Sequence, residues 1–148
     1  MQFETWSTLF EQGTIFLVDL SWGTKTWTLE KADGTKYEIK GNDKLENVDL
    51  IARVFHLESE MLYEISFGIV NAYRCLDEHG LTDVWSSNPP KVNTFKIKGH
   101  GWHKESPLSF FMGNDNEWSY LLVTGDECLE VICRGEPKIR VVEKIERI

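Results

Sequence analysis

The segment "TIFLVDLSWGTKTWTLEKADGTKYEIKG", residues 14 to 41, contains the clearest strand and turn signals in the chain. Trp27 and Leu29 alternate with polar residues, and so do Tyr37 and Ile39, as in strands that bury one face. Asp33-Gly34 lies between the two runs and is a strong hairpin signal, because glycine tolerates the positive φ that tight turns require. The segment predicts a β-hairpin.

The residues before the hairpin predict a further strand. Ile15–Val18 is a continuous apolar run, which is typical of a strand covered on both faces. Joined to the hairpin, it predicts a three-stranded meander over residues 14 to 40. Upstream, "ETWSTLFEQG" places Trp6, Leu9 and Phe10 at helical spacing before a glycine, and this pattern predicts a short helix.

In the middle of the chain, the apolar residues fit both the two-residue repeat of a strand and the repeat of a helix. "VDLIARVF" is rich in branched residues and predicts a strand. Residues 59 to 80 alternate as a half-buried strand around Tyr63 and Ile65, yet they also follow a helical repeat, with Ser59 as a possible N-cap and Gly80 just after the end. We favour a strand that ends at Phe67 and a helix over residues 69 to 79.

The C-terminal part has five apolar segments bounded by Gly, Asn, Asp or Pro: "TFKIKG", "PLSFFMG", "EWSYLLVT", "CLEVICR" and "KIRVVEKI". Each predicts a strand, and residues 124 to 127 predict a tight turn between two of them. No repeat or linker divides the chain. We therefore expect residues 1–148 to form a single α+β domain, mainly an antiparallel sheet with one or two helices.

Charge and composition disfavour some classes of function, namely nucleic-acid binding and membrane insertion. The 148 residues carry a formal net charge of −8, which disfavours binding to the phosphate backbone of nucleic acids. The N-terminus shows no basic region followed by an apolar run, and no apolar stretch approaches the length of a bilayer span, so we expect a cytoplasmic protein without membrane contact. Three cysteines, Cys75, Cys128 and Cys133, are then expected to be free thiols and mostly buried.

The segment from Glu105 to Cys133 contains no Lys or Arg but six carboxylates, and it is interleaved with the aromatic residues Phe110, Phe111, Trp118 and Tyr120, with Trp102 just before it. Aromatic anchors in a negative field suit a basic protein partner, because the field speeds association and buried aromatics slow release. The sequence predicts that this surface binds such a partner. Its candidate contact residues are Glu105, Asp115, Glu117, Trp118, Tyr120, Asp126 and Glu127.

Two histidines, His100 and His103, raise the alternative of a metal or catalytic site. Positions three apart in an extended segment point to opposite faces, so the spacing argues against a zinc-binding pair unless the glycines beside them form a loop. The paired carboxylates lie beside turn residues, and Cys75, beside Arg74, is the only cysteine with an activating neighbour. We expect no metal, no cofactor and no enzymatic activity.

Phrases such as "NAYRCLDEHGL" and "LLVTGDECLEVICRGEP", with the size, acidity and tryptophan content of the chain, resemble the small immunity proteins that bacteria encode beside polymorphic or contact-dependent toxins. The resemblance implies a cytoplasmic inhibitor that sequesters a cognate toxin, often a basic nuclease, and it assigns no individual residue a role. Two alternatives stay open. One is a small-molecule or metal-dependent enzyme with a site near His100, His103, Glu105 and Asp115, and the other is a structural subunit whose tryptophans are buried by self-association.

Overall fold

A computed structural model describes residues 1–148, which form eleven strands, three short α-helices and one 3-10 turn. The strands are β1 (Gln2–Thr5), β2 (Ile15–Trp22), β3 (Thr26–Glu30), β4 (Lys36–Lys40), β5 (Leu50–His56), β6 (Met61–Phe67), β7 (Val70–Asp77), β8 (Thr94–Lys98), β9 (Ser119–Val123), β10 (Glu127–Cys133) and β11 (Lys138–Lys144). The helices are α1 (Thr82–Trp85), α2 (Gly101–Glu105) and α3 (Pro107–Gly113), and the 3-10 turn is Glu78–Leu81.

The strands form three sheets in which every pair is antiparallel. A five-stranded sheet has the order β1-β8-β9-β10-β7, a four-stranded sheet has the order β11-β6-β5-β2, and β3 pairs only with β4. The predicted mainly antiparallel architecture is confirmed. The helices number three rather than one or two, and none is long and apolar enough to cross a membrane.

The two larger sheets share one apolar core. Ile15, Val54 and Ile65 from the four-stranded sheet join Tyr120 and Leu129 from the five-stranded sheet in a single buried cluster. Trp6 and Phe10, which follow β1, complete this cluster. The N-terminal aromatics therefore pack into the core although they are not in a helix.

The opposite face of the five-stranded sheet is covered by helical segments. Leu81 of the 3-10 turn and Val84 of α1 pack on Phe95, Leu121 and Cys128 in a second buried cluster. At the other end of β10, α3 lies so close to the sheet that a Cβ added at Gly113 would approach Ile132 to 2.3 Å. Strand β9 is thus covered on both faces, and four of its five residues are buried.

Several strand predictions are confirmed. Strands β5, β6, β8, β9, β10 and β11 lie where the sequence predicts them, and the tight turn at residues 124 to 127 closes with a 2.9 Å hydrogen bond from the Thr124 amide to the Glu127 carbonyl. The hairpin at Asp33-Gly34 also forms, with Gly34 at φ 90°. The three-stranded meander is wrong, because β2 pairs with β5 and leaves β3 and β4 alone.

Four local predictions are wrong. Residues 70 to 77 form strand β7, not a helix, and "PLSFFMG" forms helix α3, not a strand. The predicted N-terminal helix is replaced by β1 and turns. Ile15–Val18 does form part of β2, but β2 is an edge strand whose Phe16 and Val18 are exposed, so it is not covered on both faces.

Candidate functional site

The predicted acidic residues lie at two ends of strand β9. Glu105 ends α2, and Asp115 and Glu117 lie in the turn between α3 and β9. Asp126 lies in the turn between β9 and β10, and Glu127, the first residue of β10, is directly opposite Asp77 of β7. Because β9 has five residues, about 17 Å of strand separates the two groups.

All five of these carboxylates lack a Lys or Arg partner within ion-pair distance, and Glu117 has only His103, at 3.5 Å. Their negative charge is not neutralised by a cation of the same chain. Two lysines do lie near the group at the helices: Lys104 is in α2, and Lys98 donates to the carbonyl of Asn116 at 3.1 Å. The segment is free of cations in sequence but not in its spatial surroundings.

Trp118 and Tyr120 are not the exposed anchors that the sequence predicts. They are only 9% and 8% exposed. The Lys98 ammonium lies over the Trp118 ring, 4.5 Å from its centre, and Tyr120 makes an edge contact with Trp6 at 5.1 Å inside the core. Burial raises the pKa of the Tyr120 phenol to about 12. Tyr120 is buried because β9 is covered on both faces, whereas Trp118, which precedes β9, is covered in part by Lys98.

Helix α3 supplies exposed apolar residues in their place. Leu108, Phe111 and Met112 are 72%, 69% and 61% exposed, and their i, i+3, i+4 spacing puts them on one face of the helix. Phe110 points the other way and is fully buried, with His103 stacked on its ring at 4.5 Å. We call Leu108, Phe111 and Met112 the α3 face.

The α3 face lies beside the first acidic group. Glu105 precedes α3 by two residues, and Asp115 follows it by two. Glu117 contacts His103, which stacks on Phe110, so Glu117 lies toward the buried side of the helix. The α3 face is therefore flanked in the chain by Glu105 and Asp115, and neither is neutralised by a Lys or Arg.

A buried polar network lies on the same side of the five-stranded sheet. Glu130 accepts hydrogen bonds from Arg74 at 2.8 and 3.1 Å on one oxygen, and from His100 Nε2 and Ser119 Oγ, both at 2.6 Å, on the other. Arg74 is also the direct cross-strand partner of Glu130 and stacks on Trp102 at 4.6 Å. The sequence predictions did not identify this network, although a lone Glu inside the apolar strand "CLEVIC" is the signal for a paired buried charge.

Burial and hydrogen bonding shift the pKa of the Glu130 carboxyl in opposite directions. Removal from water raises the pKa of its carboxyl, but the hydrogen bond and charge of His100, the charge of Arg74 and the hydrogen bond from Ser119 together outweigh burial. The pKa therefore lies below the ordinary glutamate value. The other ring nitrogen of His100, Nδ1, is buried without a hydrogen-bond partner.

The network contains the residue types of a nucleophilic triad but not its geometry. A Ser-His-acid triad places the imidazole between hydroxyl and carboxylate, so that the imidazole can take the hydroxyl proton. Here the carboxylate lies between them, because Ser119 and His100 bind the same oxygen of Glu130. All three are buried, and none of them lines the five clefts formed around residues 28 to 38, 85 to 93, 78 to 85, 55 to 60 and 19 to 21. The arrangement is that of a buried ion pair with hydrogen bonds, not that of a triad.

The alternative enzyme site does not assemble from the residues proposed for it. His100 points to Glu130, whereas Nδ1 of His103 accepts the Gly99 amide at 2.8 Å. Asp115 is exposed in the turn after α3, and Glu105 has no partner. The spacing argument against a zinc-binding pair assumed that this segment is extended. Residues 101 to 105 instead form α2.

The cysteines are free, but one of them is not buried. Cys128 and Cys133 lie in the interior, where burial raises the pKa of both thiols to about 12. Cys75 is exposed on the edge strand β7, which corrects the expectation that it packs inside. Burial of part of its surface, followed by the nearby Glu127, raises its thiol pKa above the ordinary value. Arg74 does not activate it, because Arg74 binds Glu130.

Comparisons with protein-family models, with curated protein sequences and with solved structures found no match to this chain.

Proposed function

We propose that this chain is a non-enzymatic protein-binding module, of the inhibitor type found among immunity proteins, that binds a basic protein partner in the cytoplasm. The partner contacts the α3 face and the carboxylates beside it. A toxin domain encoded next to this chain is the partner that fits the resemblance and the charge.

The exposed α3 face is the observation that carries this proposal. Three large apolar side chains lie together on one short helix and stay more than 60% exposed. Contiguous exposed apolar residues with polar surroundings are typical of protein-binding surfaces. Phe111 is central to the face and is the residue we expect to contribute most to binding, since aromatic anchors dominate interface energies.

Charge supports a basic partner. Glu105 and Asp115 flank the α3 face in the chain, Glu117 lies toward the other side of the helix beside His103, and none of the three is neutralised by a Lys or Arg of the chain. Unpaired carboxylates attract a cationic surface over distances of about the screening length, roughly 10 Å at 0.1 M salt. Lys98 and Lys104 reduce this local field, so the apolar anchors supply affinity while the carboxylates mainly raise the association rate.

The first test measures affinity for the product of the gene beside that of this chain, with Phe111→Ser and Leu108→Ser compared against Leu9→Ser. Leu9 is 71% exposed, nearly the same as Leu108, but it lies near the start of β8 while α3 follows the end of that strand. We expect Phe111→Ser to weaken binding by about 2 kcal/mol, roughly 30-fold, and Leu9→Ser to leave it unchanged. Equal affinities for the Phe111 and Leu9 variants would exclude the α3 face.

The second test separates the role of charge from that of apolar contact. Asp115→Lys and Glu117→Lys should lower the association rate, and so should an increase in salt from about 0.1 M to about 1 M, which shortens the screening length to roughly 3 Å. Glu38→Lys on β4 is the matched control, because it changes the net charge equally on a distant exposed strand. Equal slowing by all three reversals would indicate an effect of total charge and contradict a local site.

A further inference from the structure

The β3–β4 hairpin lies apart from the rest of the molecule. Neither strand pairs with another sheet, and all ten of its strand residues are exposed. At its base, the Gly41 amide donates to the Lys25 carbonyl at 2.7 Å, and Lys25 forms an ion pair with Glu46 at 3.0 Å. The hairpin is therefore tied to the fold at its base but does not pack on it.

One face of this hairpin is entirely apolar. The register places Trp27 opposite Ile39 and Leu29 opposite Tyr37, and these four side chains, which we call the hairpin face, point to the same side. They are 47%, 52%, 43% and 45% exposed, respectively. An isolated two-stranded hairpin is marginally stable in water at best, so this face needs a cover to be well ordered.

The edges of the hairpin are less suited to binding than its face. Strand β4, one of the two edge strands of the hairpin, carries Lys36, Glu38 and Lys40 on the polar side, and Lys40 is paired with Asp43 at 3.3 Å. Charged residues on exposed edge strands are a common protection against strand addition. The apolar face has no comparable protection.

We propose that the hairpin face is covered by the hairpin face of a second copy of this chain, related by a two-fold axis. A face of large apolar and aromatic side chains is complementary to itself, which is the requirement of a two-fold interface, and the one charge that lies near it is the Lys31 ammonium, 5.8 Å from the centre of the Tyr37 ring. Charge also permits the contact: residues 24 to 41 hold four lysines and three carboxylates, a balance of +1, whereas the whole chain carries −8. Two copies that approach through their hairpins therefore meet less local repulsion than two copies that approach through the acidic segments.

The size of the face sets the strength of this association. Four half-exposed side chains present about 400 Å² per copy, so that two copies bury about 800 Å². Stable interfaces bury about 1,200 Å² or more in total. We expect a reversible dimer that forms at high micromolar concentration, not a permanent one.

Sedimentation velocity between about 10 µM and about 1 mM tests this directly. The weight-average mass should rise from 17.2 kDa toward twice that value, and high salt should not reverse the rise, in contrast to binding at the carboxylates. Ile39→Asp should weaken self-association at least roughly tenfold, while Thr28→Asp on the polar face and Phe111→Ser on α3 should leave it unchanged. A chain that stays monomeric throughout, or an effect of Phe111→Ser equal to that of Ile39→Asp, would overturn the proposal.

Cross-linking gives a second measurement that does not depend on a destabilised hairpin. In a Cys75→Ser background, the remaining cysteines are buried, so a single added thiol reports the interface. Leu29→Cys on the hairpin face should form cross-linked dimers with a short bis-maleimide, and Thr28→Cys, its neighbour on the opposite face, should not. Equal yields from the two variants, or no dimer from either, would contradict a face-to-face contact.

Discussion

Glu130 is the one carboxylate that the fold buries, and its network links β7, β9, β10 and the start of α2. Such a group is stabilising only while all of its donors are present, because an unpaired buried charge is costly. The same arrangement explains why His100, which drew attention in the sequence as a possible ligand or base, has a structural role. Its Nε2 is committed to Glu130.

Replacement of Glu130 by Gln keeps the shape of the side chain but places an amide among three donors. We expect Glu130→Gln to lower the free energy of unfolding at pH 7 by about 3–5 kcal/mol, and Glu127→Gln, exposed on the same strand, to change it by less than about 0.5 kcal/mol. Urea denaturation of both variants measures these values. A loss below about 1 kcal/mol for Glu130→Gln would show that the network contributes little.

The lowered pKa of Glu130 also predicts how the difference in unfolding free energy between wild type and Glu130→Gln depends on pH. A carboxyl whose pKa is lower in the folded state than in the unfolded state stabilises the fold at any pH above its unfolded-state pKa, which is near 4.5 for Glu130. This stabilisation is lost as the pH falls toward and through the folded-state pKa. The stability gap between wild type and Glu130→Gln should therefore be constant from pH 7 to about 5 and shrink below about 4.5. A gap that is unchanged down to pH 3 would contradict the ionised, hydrogen-bonded state of Glu130.

The three thiols should differ in reactivity. In the native state, only Cys75 should react with a maleimide or with Ellman's reagent, because Cys128 and Cys133 are buried and their thiol pKa is about 12. Cys75 should react more slowly than a model thiol at the same pH, since its pKa is raised. Glu127→Gln should speed this reaction and Glu105→Gln should not. Equal rates for the two variants would show that Glu127 does not influence Cys75.

At the scale of elements, helix α3 depends on close contact at Gly113. An added Cβ would lie 2.3 Å from Cγ2 of Ile132, and a branched side chain in a strand has little freedom to move away. We expect Gly113→Ala to destabilise the protein by about 1–3 kcal/mol. Gly68→Ala is the control, because no atom lies within 4 Å of the Cβ it would add.

A double-mutant cycle identifies the cause of the Gly113 effect. In an Ile132→Ala background, the methyl group that clashes is gone, so Gly113→Ala should cost much less than it does in the wild type. Thermal melting of the four proteins measures the coupling. Additive effects would show that the contact between α3 and β10 is not the reason.

Local sequence predicts the confirmed strands because their alternation and turn residues agree. It fails for residues 70 to 77, where a helical repeat and a strand repeat coincide, and the outcome depends on pairing of Arg74 with Glu130, 56 positions away. For α3 the sequence contains helical signals beside the apolar run. Pro107 fits the first position of a helix, and Leu108, Phe111 and Met112 have helical spacing.

Local sequence predicts the exposed carboxylates of the candidate site but not the burial of its aromatic residues. Carboxylates beside Gly and Asn in turns are expected at the surface, and Glu105, Asp115, Glu117, Asp126 and Glu127 lie in such positions or at a helix end. The burial of Trp118 and Tyr120 was not predictable from "EWSYLLVT" alone. For Tyr120 it results from layers on both faces of β9, and those layers come from distant parts of the chain.

At the scale of the whole molecule, seven of the sixteen exposed large apolar residues form the α3 face and the hairpin face, and the others, such as Leu9, Phe16 and Ile69, lie elsewhere. The α3 face is flanked in the chain by the unpaired carboxylates of Glu105 and Asp115, and the hairpin is nearly neutral. We propose a basic partner for the first and a second copy for the second. Salt distinguishes the two contacts. It should weaken binding of the basic partner, because screening reduces charge attraction, but it should not weaken self-association through the apolar hairpin face.

Amide hydrogen exchange of the chain, free and saturated with the product of the neighbouring gene, tests the central claim most directly. Our account predicts new protection within residues 101 to 117, which include α2, α3 and the acidic turn, and the loss of that protection in Phe111→Ser at the same concentrations. The hairpin amides of β3 and β4 should be unchanged on addition of the partner. Protection confined to the hairpin or to the β9–β10 turn, with residues 101 to 117 exchanging as in the free chain, would contradict it.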